Sequence, residues 1–219
     1  MPNSSSPIPT EYLETCPSGL SDGLPSDTAL APPAVEVPNP HGVTVDRAFG
    51  FVDLCGFTRF TAEEGPEAAF AALRHFRELV RAVAANRGVR IAKWLGDGCM
   101  LVSVTPGPLV ATMAELMVRF PAPLRLGVAA GPALLFEADD HIGEPVNRAA
   151  RLCDSAGPNQ LLASPETIEA LPRWLVATPV PPLEIRGVGL LSGVCSISLP
   201  PRLEEALDAP PLPDAAANL

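Results

Sequence analysis

Two aspartates stand at points where a β-strand would end. Asp53 follows a short apolar run, and Asp97 lies between Gly96 and Gly98. Divalent cations such as Mg2+ take hard oxygen ligands, typically one or two protein carboxylates together with substrate phosphates. Two carboxylates held close together could therefore bind a pair of ions that activate a hydroxyl and clamp phosphate oxygens.

Each aspartate also has an ordinary structural explanation. Asp53 could be the turn residue that ends a strand, and Asp97-Gly98 could be a common hairpin turn. Both explanations stay open for either aspartate alone, and the joint pattern is what favours a metal site. The turn Cys55–Thr58 follows Asp53, and a glycine-containing turn can point backbone amides at an anion.

A third block, residues 140–151, combines an acid, an amide and an arginine. Asn147 and Arg151 are four residues apart, so they share one face of a predicted helix. An asparagine can orient a ribose, and an arginine can neutralise charge that builds on a phosphate during reaction. The alternative is a solvated helix face with an ordinary surface arginine.

Lys93 and Asp140 could recognise a nucleotide base. Adenine offers a ring-nitrogen acceptor and an exocyclic amine donor, which a lysine donor and an aspartate acceptor match; guanine would reverse the requirement. The alternatives are that Lys93 extends from a strand into solvent and that Asp140 is a loop acid beside Asp139.

The elements that must position these residues follow from apolar periodicity and from glycine and proline signals. In chain order the sequence predicts a strand at 47–52, a helix from Pro66 to Gly88, hairpin strands at 89–95 and 99–104, a helix from Pro108, a strand at 124–130, a helix at 145–154, a strand at 160–164, a short helix at 165–171 and late strands near 183–185 and 194–199. Helices interspersed with hairpins indicate an antiparallel-rich α+β sheet. The hairpin would place Asp97 beside Asp53 if their strands are neighbours.

In this order, the three blocks resemble the class III nucleotidyl cyclases, and in particular adenylate cyclase catalytic domains of bacterial type. The resemblance covers about Ala48 to Leu199. It implies a ferredoxin-like βαββαβ core with additional C-terminal strands and helix. It also implies a lyase that converts ATP to 3′,5′-cyclic AMP and pyrophosphate with two Mg2+ or Mn2+ ions per site.

The resemblance assigns a role to each matched position. Lys93 and Asp140 are of the adenylyl type, and Arg186 stands where the family usually has a lysine. The implied roles are metal binding for Asp53, Asp97 and the backbone carbonyl of Leu54; triphosphate contact for Gly56, Phe57, Thr58 and Arg186; base recognition for Lys93 and Asp140; and catalysis for Asn147 and Arg151.

The family also implies a homodimer with two shared sites. The metal carboxylates come from one subunit, and the base-reading pair, the asparagine and the arginine come from the other. The segment 131–140 is shorter than in many members, which bears on the dimer geometry. Two other functions stay open: a catalytically degenerate nucleotide-binding signalling module, and a ferredoxin-like interaction module that would leave Asp53, Asp97 and Lys93 unexplained.

Composition separates a central unit from its flanks. Residues 1–40 hold nine of the 27 prolines and five acids but no Lys or Arg, and residues 200–219 hold four acids and one arginine. We therefore expect disordered tails at 1–43 and 200–219 around a folded unit at 44–199. The net charge of −10 then leaves about −2 on the central unit. Without a basic stripe, nucleic acid is not an expected partner.

The remaining composition excludes several classes of protein. The five cysteines are scattered without a CxxC pair, which argues against a disulfide framework or a zinc site. A GxxxxGK motif is missing, which argues against a P-loop ATPase. Because the sequence shows neither a secretory leader nor a membrane-spanning apolar run, we expect a cytoplasmic protein that does not bind membranes.

Overall fold

The computed structural model describes residues 42–136, 140–185 and 189–200. The predicted terminal tails, apart from a few residues at their inner ends, and Arg186 lie outside these residues. Ten strands and four helices form within the described ranges: β1 (Val43–Leu54), α1 (Phe57–Ala85), β2 (Arg90–Leu95), β3 (Gly98–Ser103), α2 (Pro106–Arg119), β4 (Leu124–Phe136), β5 (Asp140–Ile142), α3 (Glu144–Ser155), β6 (Gln160–Ala163), α4 (Pro165–Ile168), β7 (Val176–Pro179), β8 (Leu183–Ile185), β9 (Gly189–Leu191) and β10 (Cys195–Ser198).

Eight of the strands form one mixed sheet in the order β2-β3-β1-β4-β6-β10-β7, with β5 paired to β4. Within it β4 and β6 pair in parallel, and β1 pairs antiparallel with both β3 and β4. The order β4-β1-β3-β2, with α1 and α2 as the crossovers, is the predicted ferredoxin-like βαββαβ core. The predicted α+β fold class is confirmed, and β8 and β9 form a separate two-stranded sheet.

Helices cover both faces of the large sheet. On one face, α1 and α2 pack over β1, β3 and β4 in a cluster that includes the fully buried Phe76, Met113 and Leu126. On the other face, α3 packs over β1 and β4, where Ala149 meets Phe49. Because side chains alternate along a strand, β1 sends Val52 to the first face and Asp53 to the second.

Helix α1 differs from its prediction at the start. The sequence predicts a beginning at Gly65-Pro66, whereas the helix begins at Phe57. Gly65 has φ 86 and interrupts the helix, so Pro66 opens the second helical part rather than the whole helix. The strands β5, β7 and β9 were not predicted, because runs of three or four residues carry too little alternation to be recognised.

Strand β4 and helix α3 approach each other at Gly127. A β-carbon added there would lie 2.2 Å from the Cys153 amide nitrogen and 2.4 Å from the Ala149 carbonyl oxygen. Both atoms belong to the backbone of α3, so no side-chain rotation could relieve the overlap. The observed packing of α3 against the sheet therefore requires glycine at position 127.

We expect Gly127→Ala to lower the free energy of unfolding by about 3 kcal/mol, the upper part of the usual cost of overpacking, because α3 must move. Gly157→Ala is the control, since its added β-carbon would lie 3.5 Å from Gln160 Oε1, an ordinary contact. Urea unfolding followed by circular dichroism measures both. Equal stability of Gly127→Ala and the wild type would contradict the close approach.

Candidate active site

The two aspartates meet at one end of the sheet. Asp53 is the penultimate residue of β1 and lies opposite Gly98, the first residue of β3. Asp97 immediately precedes Gly98 in the β2–β3 turn, so the neighbouring-strand condition set by the sequence is met. Position 98 needs a glycine, because an added β-carbon would lie 2.6 Å from the Val52 carbonyl oxygen and 3.2 Å from Asp53 Oδ1.

The electrostatics of Asp97 show that the charge of Asp53 acts on it. Burial raises the pKa of Asp97, and the negative charge of Asp53 raises it further, while its own backbone amide and Arg125 oppose the shift. Like charges at short range disfavour ionisation of both groups. A nearby cation would relieve this repulsion, so the local field favours a positively charged ligand.

Arg125 is a site residue that the sequence analysis missed. It lies directly opposite Asp53 in the β1–β4 pair, and its Nη2 donates to Asp53 Oδ2 in a half-buried ion pair. That hydrogen bond is the main cause that raises the pKa of Arg125. The signal was present in the sequence, since Arg125 is the one charged residue in the otherwise apolar stretch 124–130.

The turn after β1 presents the start of α1 beside these charges. Gly56 precedes α1 with φ 71 and ψ 20, a left-handed conformation that glycine adopts at little cost. No side chain caps the first turn of α1, and no acid lies in it. The amides of Phe57 and Thr58 therefore belong to an uncapped helix N-terminus, which favours negative charge.

Lys93 and Asp140 form an ion pair between Nζ and Oδ1. Their side chains are 45% and 43% exposed, so the pair faces solvent and remains accessible to a ligand. Asp140 begins β5, which pairs with the end of β4, and the ring of the next residue, His141, packs edge-on against Phe49 at 5.2 Å between centroids. This ring contact links β5 to β1 as well as to β4, its partner in the sheet.

Helix α3 carries the remaining predicted residues. Asn147 and Arg151 are both exposed, and Arg151 Nη1 lies 3.0 Å from Asp154 Oδ2. Arg148, by contrast, is only 17% exposed and is bound by Glu144 and Glu166. Of the two arginines, Arg151 is the more exposed, and its ion pair with Asp154 is also that of an ordinary surface arginine.

The residues fall into two groups held by separate contacts. Asp53, Asp97 and Arg125 form the first, at the strand ends, and a concavity of about 270 Å3 separates Asp53 from Ala150 and Asp154 of α3. The second comprises the Lys93–Asp140 pair. Arg186, which is predicted to contact the triphosphate, lies outside the described residues.

The first group contains two carboxylates of the type that hard divalent cations take as ligands. Within residues 42–136, 140–185 and 189–200, no set of three or more His, Cys, Asp or Glu side chains could hold a metal. Asp53 and Asp97 thus supply two carboxylates, with the Leu54 carbonyl next to Asp53 in the chain. This is the share that Mg2+ usually takes from a protein when phosphates and water provide the other ligands.

Sequence comparison finds related bacterial proteins. An uncharacterised protein of Mycobacterium tuberculosis is 35% identical over 149 residues, covering 66% of this chain and 39% of that protein. The pH-sensitive adenylate cyclase of M. tuberculosis is 35% identical over 141 residues (62% and 34%), and an adenylate cyclase of Streptomyces coelicolor is 34% identical over 137 residues (59% and 35%). The match spans less than two fifths of each of these relatives. No protein-family model matches the chain.

Solved structures show the same fold. The adenylyl cyclase CyaB from P. aeruginosa superposes with a TM-score of 0.62 at 21% identity, covering 73% of this chain and 97% of that one. The guanylate cyclase domain of RhGC from Catenaria anguillulae, in complex with GTP, superposes with a TM-score of 0.63 at 19% identity (71% and 97%). Together the comparisons confirm the resemblance to the class III nucleotidyl cyclases: the chain has their catalytic-domain fold and is related in sequence to two proteins named as adenylate cyclases.

None of the four helices in the described residues is both long and apolar enough to cross a membrane.

Proposed function

We propose that the protein is an adenylate cyclase that converts ATP to 3′,5′-cyclic AMP and pyrophosphate. The observation that carries the proposal is the meeting of Asp53 and Asp97 across β1 and β3, where burial and then the charge of Asp53 raise the pKa of Asp97. Arg125 pairs with Asp53, and a bound cation would offset the remaining repulsion between the two carboxylates. The sequence relatives named as adenylate cyclases support the same reaction.

Each group of site residues has its own role in the proposed cyclisation. Asp53 and Asp97, with the Leu54 carbonyl, would hold two Mg2+ or Mn2+ ions, which when bound lower the pKa of the attacking ribose hydroxyl and offset charge on the phosphates. The amides of the Gly56–Thr58 turn face the triphosphate, and Arg186 adds a charge to it. Asn147 orients the ribose, and Arg151 stabilises the negative charge that develops at the α-phosphate.

Base preference rests on the Lys93–Asp140 pair. The solved neighbours include both a guanylate cyclase domain and an adenylyl cyclase, so the fold does not decide which nucleotide is bound. The ion pair shows that Lys93 and Asp140 can reach a common point. A base entering there meets one donor and one acceptor, the complement of the adenine edge.

The exposed positions of Asn147 and Arg151 support a site that a second copy completes. Both residues point away from their own core on α3. In a two-fold dimer each surface meets its own symmetry mate, so two equivalent sites arise. Each site would combine Asp53 and Asp97 of one protomer with the base-reading pair, Asn147 and Arg151 of the other.

We expect Asp53→Ala and Asp97→Ala each to abolish cyclic AMP formation from ATP and Mn2+ without unfolding the protein, because each removes a hard ligand. Chromatographic detection of cyclic AMP measures the reaction, and circular dichroism checks the fold. Substantial activity in folded Asp97→Ala would overturn the two-metal mechanism. A wild type that binds ATP without turnover would instead indicate the degenerate signalling module.

Lys93→Glu should reduce the preference for ATP over GTP by roughly 1–3 kcal/mol, the usual cost of leaving a polar partner unpaired. The measurement is kcat/KM for both nucleotides in the wild type and the variant. Arg173→Glu, a charge reversal on an exposed loop, is the control and should leave the ratio unchanged. If Lys93→Glu also leaves it unchanged, the lysine does not read the base.

Mixing inactive Asp53→Ala with inactive Arg151→Ala should restore about a quarter of wild-type activity. Random exchange places half of the dimers in the mixed form, in which one site collects both substitutions and the other collects neither. The mixture is assayed over a range of protein concentrations because the segment 131–140 is short. No recovery, with subunit exchange shown by labelled protomers, would rule out the shared site.

A further inference from the structure

The turn that carries Asp97 contains two glycines. Gly96 precedes the aspartate with φ 64, and Gly98 follows it. Glycine loses more conformational freedom on ordering than any other residue. The ladder holds the turn at Gly98, which pairs with Leu95 and Asp53, and a contact at Gly96 would hold it at the other side of Asp97.

Arg77 of α1 makes such a contact. Its Nη2 donates to the Gly96 carbonyl oxygen at 3.3 Å, across 19 residues of sequence. The guanidinium carbon also lies 5.1 Å from the centroid of the Trp94 ring, within the usual range of a cation–π contact. Trp94 in turn packs edge-on against the buried Phe76. The aromatic ring that the guanidinium contacts is therefore held in place by the core.

Two contacts place the Arg77 guanidinium, the Trp94 ring and the Gly96 carbonyl oxygen. Its Nε is buried and has no hydrogen-bond partner within the described residues.

Arg81, one helical turn further along, provides an internal comparison. Its guanidinium carbon lies 5.2 Å from the same Trp94 centroid, so it shares the cation–π contact. The hydrogen bond from α1 to Gly96 comes from Arg77. Removing either arginine takes one cation from Trp94, but removing Arg77 also releases the turn.

We propose that Arg77 is a positioning residue that fixes the Gly96–Asp97 turn and thereby sets the metal affinity of Asp97. This inference rests on the proposed function of Asp97 as a metal ligand. The contact of Arg77 is with the Gly96 carbonyl oxygen, so Arg77 acts on Asp97 through the backbone of the turn. Partners that orient a metal ligand without touching the metal commonly have this effect.

The test compares Arg77→Met, Arg77→Lys and the matched control Arg81→Met. Mn2+ binding is measured by electron paramagnetic resonance of free Mn2+, with a non-cyclisable ATP analogue present and without turnover. We expect Arg77→Met to weaken Mn2+ binding about 10-fold, the lower end of the usual effect of losing such a partner. Arg81→Met should bind Mn2+ like the wild type, and Arg77→Lys, which keeps the charge, should fall in between.

Kinetics give a second readout. The Mn2+ concentration for half-maximal activity should rise in Arg77→Met by the same factor as the binding constant, while kcat at saturating Mn2+ changes less. Equal Mn2+ affinities in Arg77→Met and Arg81→Met would overturn the inference, since cation–π loss alone would then explain both. If Arg77→Met does not fold, an Mn2+ affinity of Arg77→Lys equal to that of the wild type overturns it equally.

The outcome is separable from that of the proposed function. A wild type that binds Mn2+, weakly so in Arg77→Met, but makes no cyclic AMP would support the role of Arg77 and overturn the cyclase proposal. If the wild type makes cyclic AMP and Arg77→Met leaves its Mn2+ affinity unchanged, the cyclase proposal is supported and the role of Arg77 is overturned. A wild type that binds no Mn2+ overturns the role of Arg77 together with the metal site.

Discussion

The antiparallel pairing of β1 with β3 is the constraint on which the candidate site depends. It brings Asp53 opposite Gly98 and therefore beside Asp97, although the two aspartates are 44 residues apart in the sequence. A slip of one residue would turn Asp53 toward the α1 and α2 side and would expose Val52 in its place. The buried Val52 makes that slip unfavourable, so the hydrophobic core fixes the position of the carboxylate.

Holding two carboxylates together has an energetic cost, and the neighbouring residues offset part of it. Arg125 pairs with Asp53 across the β1–β4 register. Asp97 keeps a raised pKa even so. In the proposed function, a bound cation would offset the repulsion between the two carboxylates. Residues required for function commonly lower the folding stability of a protein in this way.

Parts of the site were predictable because they depend on local spacing. The Gly96-Asp97-Gly98 hairpin is recognisable from three residues, and the shared helix face of Asn147 and Arg151 follows from their separation. Arg125 was not predicted, because its importance comes from a cross-strand partner that spacing along β4 does not reveal. The contact between Arg77 and Gly96 was missed for the same reason, since it joins a helix to a turn 19 residues away.

The sequence by itself determined the order of the core elements, the fold class and the residue types able to do nucleotide chemistry, because hydrophobic period, turn glycines and side-chain chemistry are local properties. Only the tertiary structure decided which charges meet. The register of β1 joins Asp53 to both Asp97 and Arg125, and the β4–β5 pair carries Asp140 to Lys93. These contacts depend on sheet register and on the packing of distant elements, which follow from burial of the whole core rather than from any short stretch of sequence.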